Sequence, residues 1–142
     1  MPPANPVAAN VPKKNVKVLI VDDDKFLLGM YSLKFTNNGY DVETAVGSQA
    51  ALDKLRNGLR PNIMMFDIVM PYMDGLELLK TVRTENLAPD SIVVMLTNQS
   101  QSSDIERAKD LGVDGYIVKA ATIPSEVLHE VEKIYAIKKG KN

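Results

Sequence analysis

The sequence of 142 residues contains no cysteine, which excludes disulfide bonds and thiolate metal sites. Proteins of reducing compartments commonly have this composition. Long apolar runs are also missing, and no segment approaches the roughly 20 apolar residues that cross a bilayer as a helix. The amino terminus lacks the apolar region of a secretory signal peptide as well. These absences predict a cytoplasmic protein that does not contact a membrane.

Neither sign of charge predominates, because 17 Lys and Arg residues stand against 18 Asp and Glu residues, a formal net charge of −1. Without a basic footprint, the domain is not expected to bind nucleic acid or anionic lipid. The remaining composition is ordinary, with 45% apolar and 25% charged residues. At this length it suits one domain with its own hydrophobic core.

The first 14 residues show no apolar periodicity and contain four prolines, at Pro2, Pro3, Pro6 and Pro12. Such a segment is typical of a flexible N-terminal arm. We therefore expect a folded domain over residues 15–139 and a frayed C-terminus at residues 140–142.

Short apolar or β-branched runs alternate with segments of helical periodicity over the rest of the chain. The runs predict strands at residues 16–21, 40–45, 63–67, 91–97 and 114–119. The periodic segments predict helices at residues 25–38, 48–57, 76–85 and 103–111, and a last helix capped by Thr122. Five strand–helix repeats with short connections indicate an α/β domain whose parallel sheet is covered on both faces.

The first predicted helix carries apolar residues on two faces, and Asp24 is placed to cap it. Its core-facing positions are predicted to be Leu27, Met30, Tyr31 and Phe35. A second set consists of Phe26, Gly29 and Leu33. Glycine costs about 1 kcal/mol inside a helix, so Gly29 suggests that something approaches closely. We hypothesise that a partner docks on this second face; cover by the last helix or the N-terminal arm is the alternative.

Chemically active side chains stand where four of the five predicted strands end. Asp22 and Asp23 follow the first strand, Asp67 the third, Thr97 the fourth and Lys119 the fifth. Parallel strands direct their carboxyl ends to one edge of a sheet, where open α/β sheets bind their ligands. Crowded carboxylates repel one another unless a cation intervenes, and so few ligands, all of them oxygen, favour Mg²⁺. Acids, a hydroxyl and a lysine together indicate a site that receives a phosphoryl group on a carboxylate.

From Val16 to about Lys138 the chain resembles a receiver domain of the two-component response regulators, most closely the single-domain chemotaxis type. The resemblance lies in Val21-Asp22-Asp23-Asp24, in Asp67 with Met70-Pro71 and Asp74-Gly75, in Thr97, and in Gly115-Tyr116 leading to Lys119. It implies a flavodoxin-like, doubly wound sheet of five parallel strands in the order 2-1-3-4-5, with five helices on its two faces.

The resemblance also implies roles for individual residues. Asp67 would be the phosphoacceptor and a Mg²⁺ ligand. Asp23 would hold Mg²⁺ directly and Asp22 largely through water, and the Val69 carbonyl would be a further ligand. Lys119 and Thr97 would bind the phosphoryl group.

Tyr116 would be the aromatic switch that turns inward when Thr97 moves, although the residues alone leave a core-packing role equally open. The phosphodonor would be a sensor histidine kinase or a histidine phosphotransfer protein, and it would be the partner that docks on Phe26, Gly29 and Leu33 beside the acidic site. The domain would catalyse only its own phosphorylation and dephosphorylation, and would pass the signal to a downstream protein.

Three positions depart from the usual pattern of the family. Ala120 stands where a proline with a cis bond is common, and a non-proline cis bond costs about 2.5–4 kcal/mol, so a trans bond is predicted. Asn98 replaces a smaller residue and is expected to narrow access to Asp67. Val69 is apolar where a polar side chain could orient an attacking water, which predicts slow self-dephosphorylation.

Parts of the sequence are also compatible with three other functions. A receiver-like interaction module that is never phosphorylated would keep the fold, and Ala120 and Asn98 favour it. A Mg²⁺-dependent phosphohydrolase would place its nucleophile after the first strand, where Asp22 and Asp24 match, but it would leave Asp67 unused. A flavin carrier would need a hydroxyl-rich phosphate loop where this chain has acids.

Overall fold

The computed structural model describes residues 14–98, 102–119 and 123–140. Strands and helices alternate through these residues, five of each. The strands are β1 Lys17–Asp22, β2 Asp41–Val46, β3 Ile63–Asp67, β4 Ile92–Thr97 and β5 Gly115–Val118. The helices are α1 Lys25–Thr36, α2 Ser48–Arg56, α3 Gly75–Thr84, α4 Ser102–Asp110 and α5 Pro124–Gly140.

The five strands form one parallel sheet in the order β2-β1-β3-β4-β5. This confirms the predicted flavodoxin-like topology. Because the chain crosses from β2 back past β1 to β3, the first and third strands become neighbours, with Val21 opposite Phe66. A crevice opens at such a reversal, at the carboxyl ends of the strands.

Two apolar layers cover the sheet. One contains buried residues of α2, α3 and α4, such as Leu52, Leu79 and Ala108. The other contains buried residues of α1 and α5, such as Phe35 and Val131. No described helix is both long enough and apolar enough to cross a bilayer.

Side chains along each strand alternate between these layers. On β1, Leu19 and Val21 join the α2–α4 layer, whereas Val18 and Ile20 join the α1/α5 layer. A period of two therefore directs Asp22 toward the α1/α5 side. The same alternation assigns Asp67, which follows Ile63 and Met65, and Lys119, which follows Ile117, to that side. Thr97 follows Val93 and Met95 on the opposite side.

The core-facing side of α1 differs from the prediction. Its buried residues are Leu28, Tyr31 and Phe35, whereas Leu27 and Met30 are only half-buried. The helix carries apolar residues on more than one face, so periodicity alone could not predict which face is buried. Packing against the sheet determined the buried face. The predicted cap is confirmed: the Asp24 carboxylate accepts hydrogen bonds from the backbone N–H groups of Phe26 at 2.9 Å and Leu27 at 3.2 Å.

The ends of the domain extend slightly beyond the predicted boundaries. Lys14 was assigned to the arm, yet its N–H donates to the Gly39 carbonyl at 3.0 Å and its ammonium pairs with Glu132 at 2.9 Å. Helix α5 continues to Gly140. The rest of the predicted arm, the Thr122 cap and the peptide bond before Ala120 involve residues outside those that the structure describes.

Candidate functional site

Three carboxylates meet at the carboxyl edge of the sheet. Asp22 ends β1, Asp23 follows it, and Asp67 ends the neighbouring β3. One carboxylate oxygen of each lies within 4.8 Å of the others. Asp22 and Asp67 are buried, whereas Asp23 is exposed to solvent. The cluster is therefore anchored in the protein and open on one side.

Lys119 brings a buried cation into the same cluster. Its ammonium lies 2.7 Å from Asp22 Oδ2 and 3.4 Å from Asp67 Oδ1. The lysine itself is only 7% exposed. A buried charge is tolerated only where an opposite charge and hydrogen bonds replace lost water. The pairing therefore stabilises the two buried acids and the lysine together.

The surroundings change the proton affinity of these groups. Burial raises the pKa of Asp67 to about 6, because desolvation and the repulsion from Asp22 and Asp23 outweigh the attraction of Lys119. For Lys119, burial acts to lower the pKa, but the contacts with Asp22 and Asp67 prevail and the net pKa is raised. At neutral pH the site thus holds a positively charged Lys119 and an ionised Asp67, whose negative charge is disfavoured by burial and by the neighbouring acids.

Thr97 and Tyr116 occupy adjacent strands on the other side of the sheet. Thr97 ends β4 and is buried. Tyr116 lies on β5 opposite Met95, is half-buried and packs against the α2–α4 layer. Burial raises its pKa, and the negative charge of Asp104 adds to the rise. Thr97 ends the strand next to that of Asp67, because β4 adjoins β3, and Tyr116 lies one strand further away.

The loop after Asp67 folds back onto the end of β3. The Gly75 N–H donates to the Ile68 carbonyl at 2.8 Å, and a Cβ at Gly75 would overlap the Asp67 backbone carbonyl. Asp74 and Glu77 cap helix α3 reciprocally. Asp74-Gly75 was named in the sequence analysis only as part of the family resemblance, and this close approach, for which the glycine was the available signal, was missed. In the same loop the Val69 side chain is 58% exposed.

The proposed docking face on α1 is exposed. Phe26 and Leu33 are 74% and 57% accessible. Apart from the adjoining residues and backbone of α1 itself, no atom of the described residues lies within 4 Å of the position that a Cβ at Gly29 would take. The described chain therefore makes no close approach there, and approach by a partner stays a prediction. Cover by α5 is not observed, since Phe26 and Leu33 remain exposed. Cover by the N-terminal arm concerns residues outside those that the structure describes. Gly29 instead lines a shallow hollow of about 270 Å³ that extends to Val46.

The sequence profile of the response regulator receiver domain matches residues 18–132. The chain belongs to this family. The profile spans the sheet, the carboxylate cluster and Lys119, so the site lies within the part that defines a receiver domain.

Characterised relatives agree with this membership. The alkaline phosphatase synthesis transcriptional regulatory protein PhoP of Bacillus subtilis is 32% identical over 120 residues, 84% of this chain and 48% of the relative. The response regulator protein VraR of Staphylococcus saprophyticus is 34% identical over 122 residues, 84% of this chain and 56% of the relative. This chain therefore spans about half the length of the curated relatives it matches.

A solved structure of the chemotaxis type matches this chain over nearly its whole length. The chemotaxis protein CheY4 of Vibrio cholerae superimposes with a TM-score of 0.77 at 31% identity, over 84% of this chain and 98% of that protein. The chain is thus a receiver domain of the two-component response regulators, with structural neighbours of the chemotaxis type.

Proposed function

We propose that Asp67 accepts a phosphoryl group from a phosphohistidine of a sensor histidine kinase or a histidine phosphotransfer protein. An oxygen of the Asp67 carboxylate attacks the phosphorus, the P–N bond breaks, and the imidazole keeps the electron pair. The observation that carries the proposal is the convergence of Asp22, Asp23 and Asp67 within 4.8 Å beside the Lys119 ammonium. Phosphoryl transfer depends chiefly on positioning and charge neutralisation, and this cluster is built for both.

The donor set fits Mg²⁺. Its three carboxylates offer only oxygen, and the exposed Asp23 leaves room for the waters that Mg²⁺ retains. Asp22, Asp23 and Asp67 would hold the ion, with the Val69 carbonyl as a further ligand. When bound, the ion neutralises the clustered carboxylates and the charge of the incoming phosphoryl group.

The chain's own residues would then respond to the phosphoryl group. Lys119 is close enough to Asp67 to exchange its carboxylate contact for a phosphoryl oxygen. The Thr97 hydroxyl would donate to another oxygen, and its movement would make room for Tyr116 to turn inward. The result is a shift between two populated states of the surface around β4, α4, β5 and α5.

The proposed function also includes the partners of the domain and the loss of its phosphoryl group. The domain would catalyse only its own phosphorylation and dephosphorylation, in the cytoplasm, as one step of a phosphorelay. The exposed face of Phe26, Gly29 and Leu33 would receive the phosphodonor, since its helix begins at Lys25, directly after the acids that follow β1. The switched surface would bind a downstream protein. Val69 offers no polar group to orient water, so the phosphoryl group would be lost slowly.

Incubation with acetyl phosphate and Mg²⁺, followed by intact mass spectrometry, tests the proposal. We expect one phosphoryl adduct in the wild-type chain and none in Asp67→Asn. Beryllofluoride with Mg²⁺ should produce one stable complex under the same conditions. Continuous phosphate release would instead indicate a hydrolase. Absence of both adducts in the folded chain would mean an interaction module that is not phosphorylated.

A further inference from the structure

The loop between β3 and α3 holds one aromatic side chain entirely in solvent. Tyr72 is fully exposed, and the Met73 N–H donates to the Pro71 carbonyl across it at 2.8 Å. Its φ is +70°, so Tyr72 is the central residue of a γ-turn with positive φ, a rare and strained conformation. The chain therefore keeps a bulky residue at a position where the backbone is strained.

A residue that tolerates this conformation would form the turn with less strain. Among the described residues other than glycine, four have a positive φ: Asn15, Tyr72, Asn86 and Ala88. Asparagine is enriched in this region and alanine is small, whereas a bulky side chain there is an outlier. Strained residues cluster at functional sites, where the strain is part of the mechanism. Tyr72 therefore points to a function of its side chain.

The turn is held on both sides. The buried Ser48 hydroxyl donates to the Met73 carbonyl at 2.7 Å, which ties the turn to the start of α2. The Gly75 N–H donates to the Ile68 carbonyl at 2.8 Å, which ties the turn to the end of β3. Tyr72 thus projects from a backbone that is fixed beside the carboxylate cluster, and such preorganisation lowers the entropy lost on binding.

Tyr72 borders a hollow that reaches the carboxylate cluster. The hollow has a volume of about 610 Å³. Its lining combines one acid of the cluster with apolar and aromatic residues, and includes Asp23, Val46, Pro71, Tyr72 and Met73. Asp23 is the exposed member of the cluster, so the hollow lies on the open side, from which a phosphodonor reaches Asp67.

The leaving group of the proposed transfer suits this hollow. In phosphoryl transfer the attacking and leaving atoms lie roughly in line, so the donor's imidazole faces away from Asp67, toward the open side. A proton on the second ring nitrogen gives the ring a positive charge. When the P–N bond breaks, its electron pair neutralises that charge and the ring leaves as imidazole. The face of an aromatic ring attracts a cation, and Tyr72 supplies such a ring beside Asp23.

We propose that Tyr72 is a specificity-determining residue that receives the imidazole ring of the phosphohistidine donor. Binding of the ring before transfer raises the second-order rate constant for donors that carry it. Donors whose leaving group has no ring gain nothing from Tyr72. Tyr72 has this role only if Asp67 is phosphorylated, so the inference rests on the proposed function.

Two small phosphodonors isolate the effect of the leaving group. Phosphoimidazole releases imidazole and phosphoramidate releases ammonia, whereas the acceptor and Mg²⁺ are the same. The readout is the ratio of their second-order rate constants, phosphoimidazole over phosphoramidate, from intact mass spectrometry at saturating Mg²⁺. Tyr72→Asn removes the ring and suits a positive φ, and Tyr72→Phe retains the ring. Ile137→Ala, at an exposed position in the last turn of α5, is the control for loss of an exposed apolar side chain.

We expect Tyr72→Asn to lower this ratio by about two- to fivefold, the factor that one exposed cation–π contact provides. Tyr72→Phe and Ile137→Ala should keep the wild-type ratio. An unchanged ratio in Tyr72→Asn would overturn the inference, even if both rate constants fall together, because Tyr72 would then only shape the loop. Wild type that is phosphorylated by neither donor would overturn the proposed function and the role of Tyr72 with it.

Urea unfolding tests whether the tyrosine is retained at the expense of stability. Because asparagine adopts a positive φ more readily, we expect Tyr72→Asn to unfold at a higher urea concentration than wild type, and Tyr72→Phe at the same concentration. A stabilised but less selective Tyr72→Asn would support the inference. A lower midpoint for Tyr72→Asn would mean that the ring serves the fold, and would overturn it.

Discussion

Asp67→Asn should stabilise the domain in the absence of divalent cations. The ionised Asp67 carboxylate is buried beside two other acids, and this environment raises its pKa to about 6 from an ordinary value of 3.8. Asparagine has nearly the same shape and carries no charge. The substitution therefore removes the repulsion and the desolvation of the charge while the packing is retained.

The magnitude follows from the pKa. The pKa of Asp67 in the folded domain lies roughly two above its ordinary pKa. A pKa difference of one corresponds to about 1.4 kcal/mol, so ionised Asp67 lowers the free energy of unfolding by on the order of 3 kcal/mol at neutral pH. The folded state binds the proton more tightly than the unfolded state. The cost is therefore absent below pH 3.8, grows as the pH rises, and is complete above about pH 6.

Urea unfolding in EDTA at several pH values measures this difference. We expect Asp67→Asn to exceed wild type by about 2–3 kcal/mol at pH 7.5 and to approach it near pH 4. Asp90→Asn, at an exposed position away from the site, is the matched control for the loss of one carboxylate. Adding Mg²⁺ should raise the stability of wild type more than that of the variant. An unstabilised variant at pH 7.5, or a difference independent of pH, would refute the reasoning.

Other substitutions test the loop, the helices and the turnover of the site. Gly75→Ala should destabilise the domain by about 2 kcal/mol or more in urea unfolding, because the new Cβ meets the Asp67 backbone. Gly29→Ala is its control: its Cβ would enter open space, and the change should stabilise α1 by about 0.5–1 kcal/mol. Asp74→Ala should cost about 1 kcal/mol through loss of the α3 cap, and Asp74→Ser should recover most of it. Val69→Asn should accelerate the decay of radiolabelled phosphoprotein in Mg²⁺; decay of the wild type within seconds would contradict slow self-dephosphorylation.

The sequence alone was sufficient for the order and type of the elements. Strand β3 was predicted at residues 63–67 and is observed there, because a short apolar run between turn signals has few other interpretations. Helix α2 was predicted at residues 48–57 and is observed at Ser48–Arg56, since its apolar residues Ala51, Leu52 and Leu55 lie on one buried face. The buried face of α1 was predicted incorrectly, because this helix carries apolar residues on more than one face.

The residues that form the carboxylate cluster could likewise be predicted from the sequence. Acids after the first and third strands, and a lysine after the fifth, come to one edge whenever the strands are parallel. The distances between these acids and the lysine could not be predicted, because they depend on which strands are neighbours and on the register between the strands. The adjacency of β1 and β3 brings Asp22 within reach of Asp67, and β4 separates Asp67 from the strand that precedes Lys119.

Local pattern thus determined which groups this receiver domain possesses, because turn residues and apolar periodicity act over a few positions of the chain. Packing decided what those groups experience. The burial that raises the pKa of Asp67 and the choice of Asp22 as the nearer partner of Lys119 both arise between elements distant in sequence. Charge and solvation energies depend on the spatial neighbours of a group, and only the folded chain supplies those neighbours.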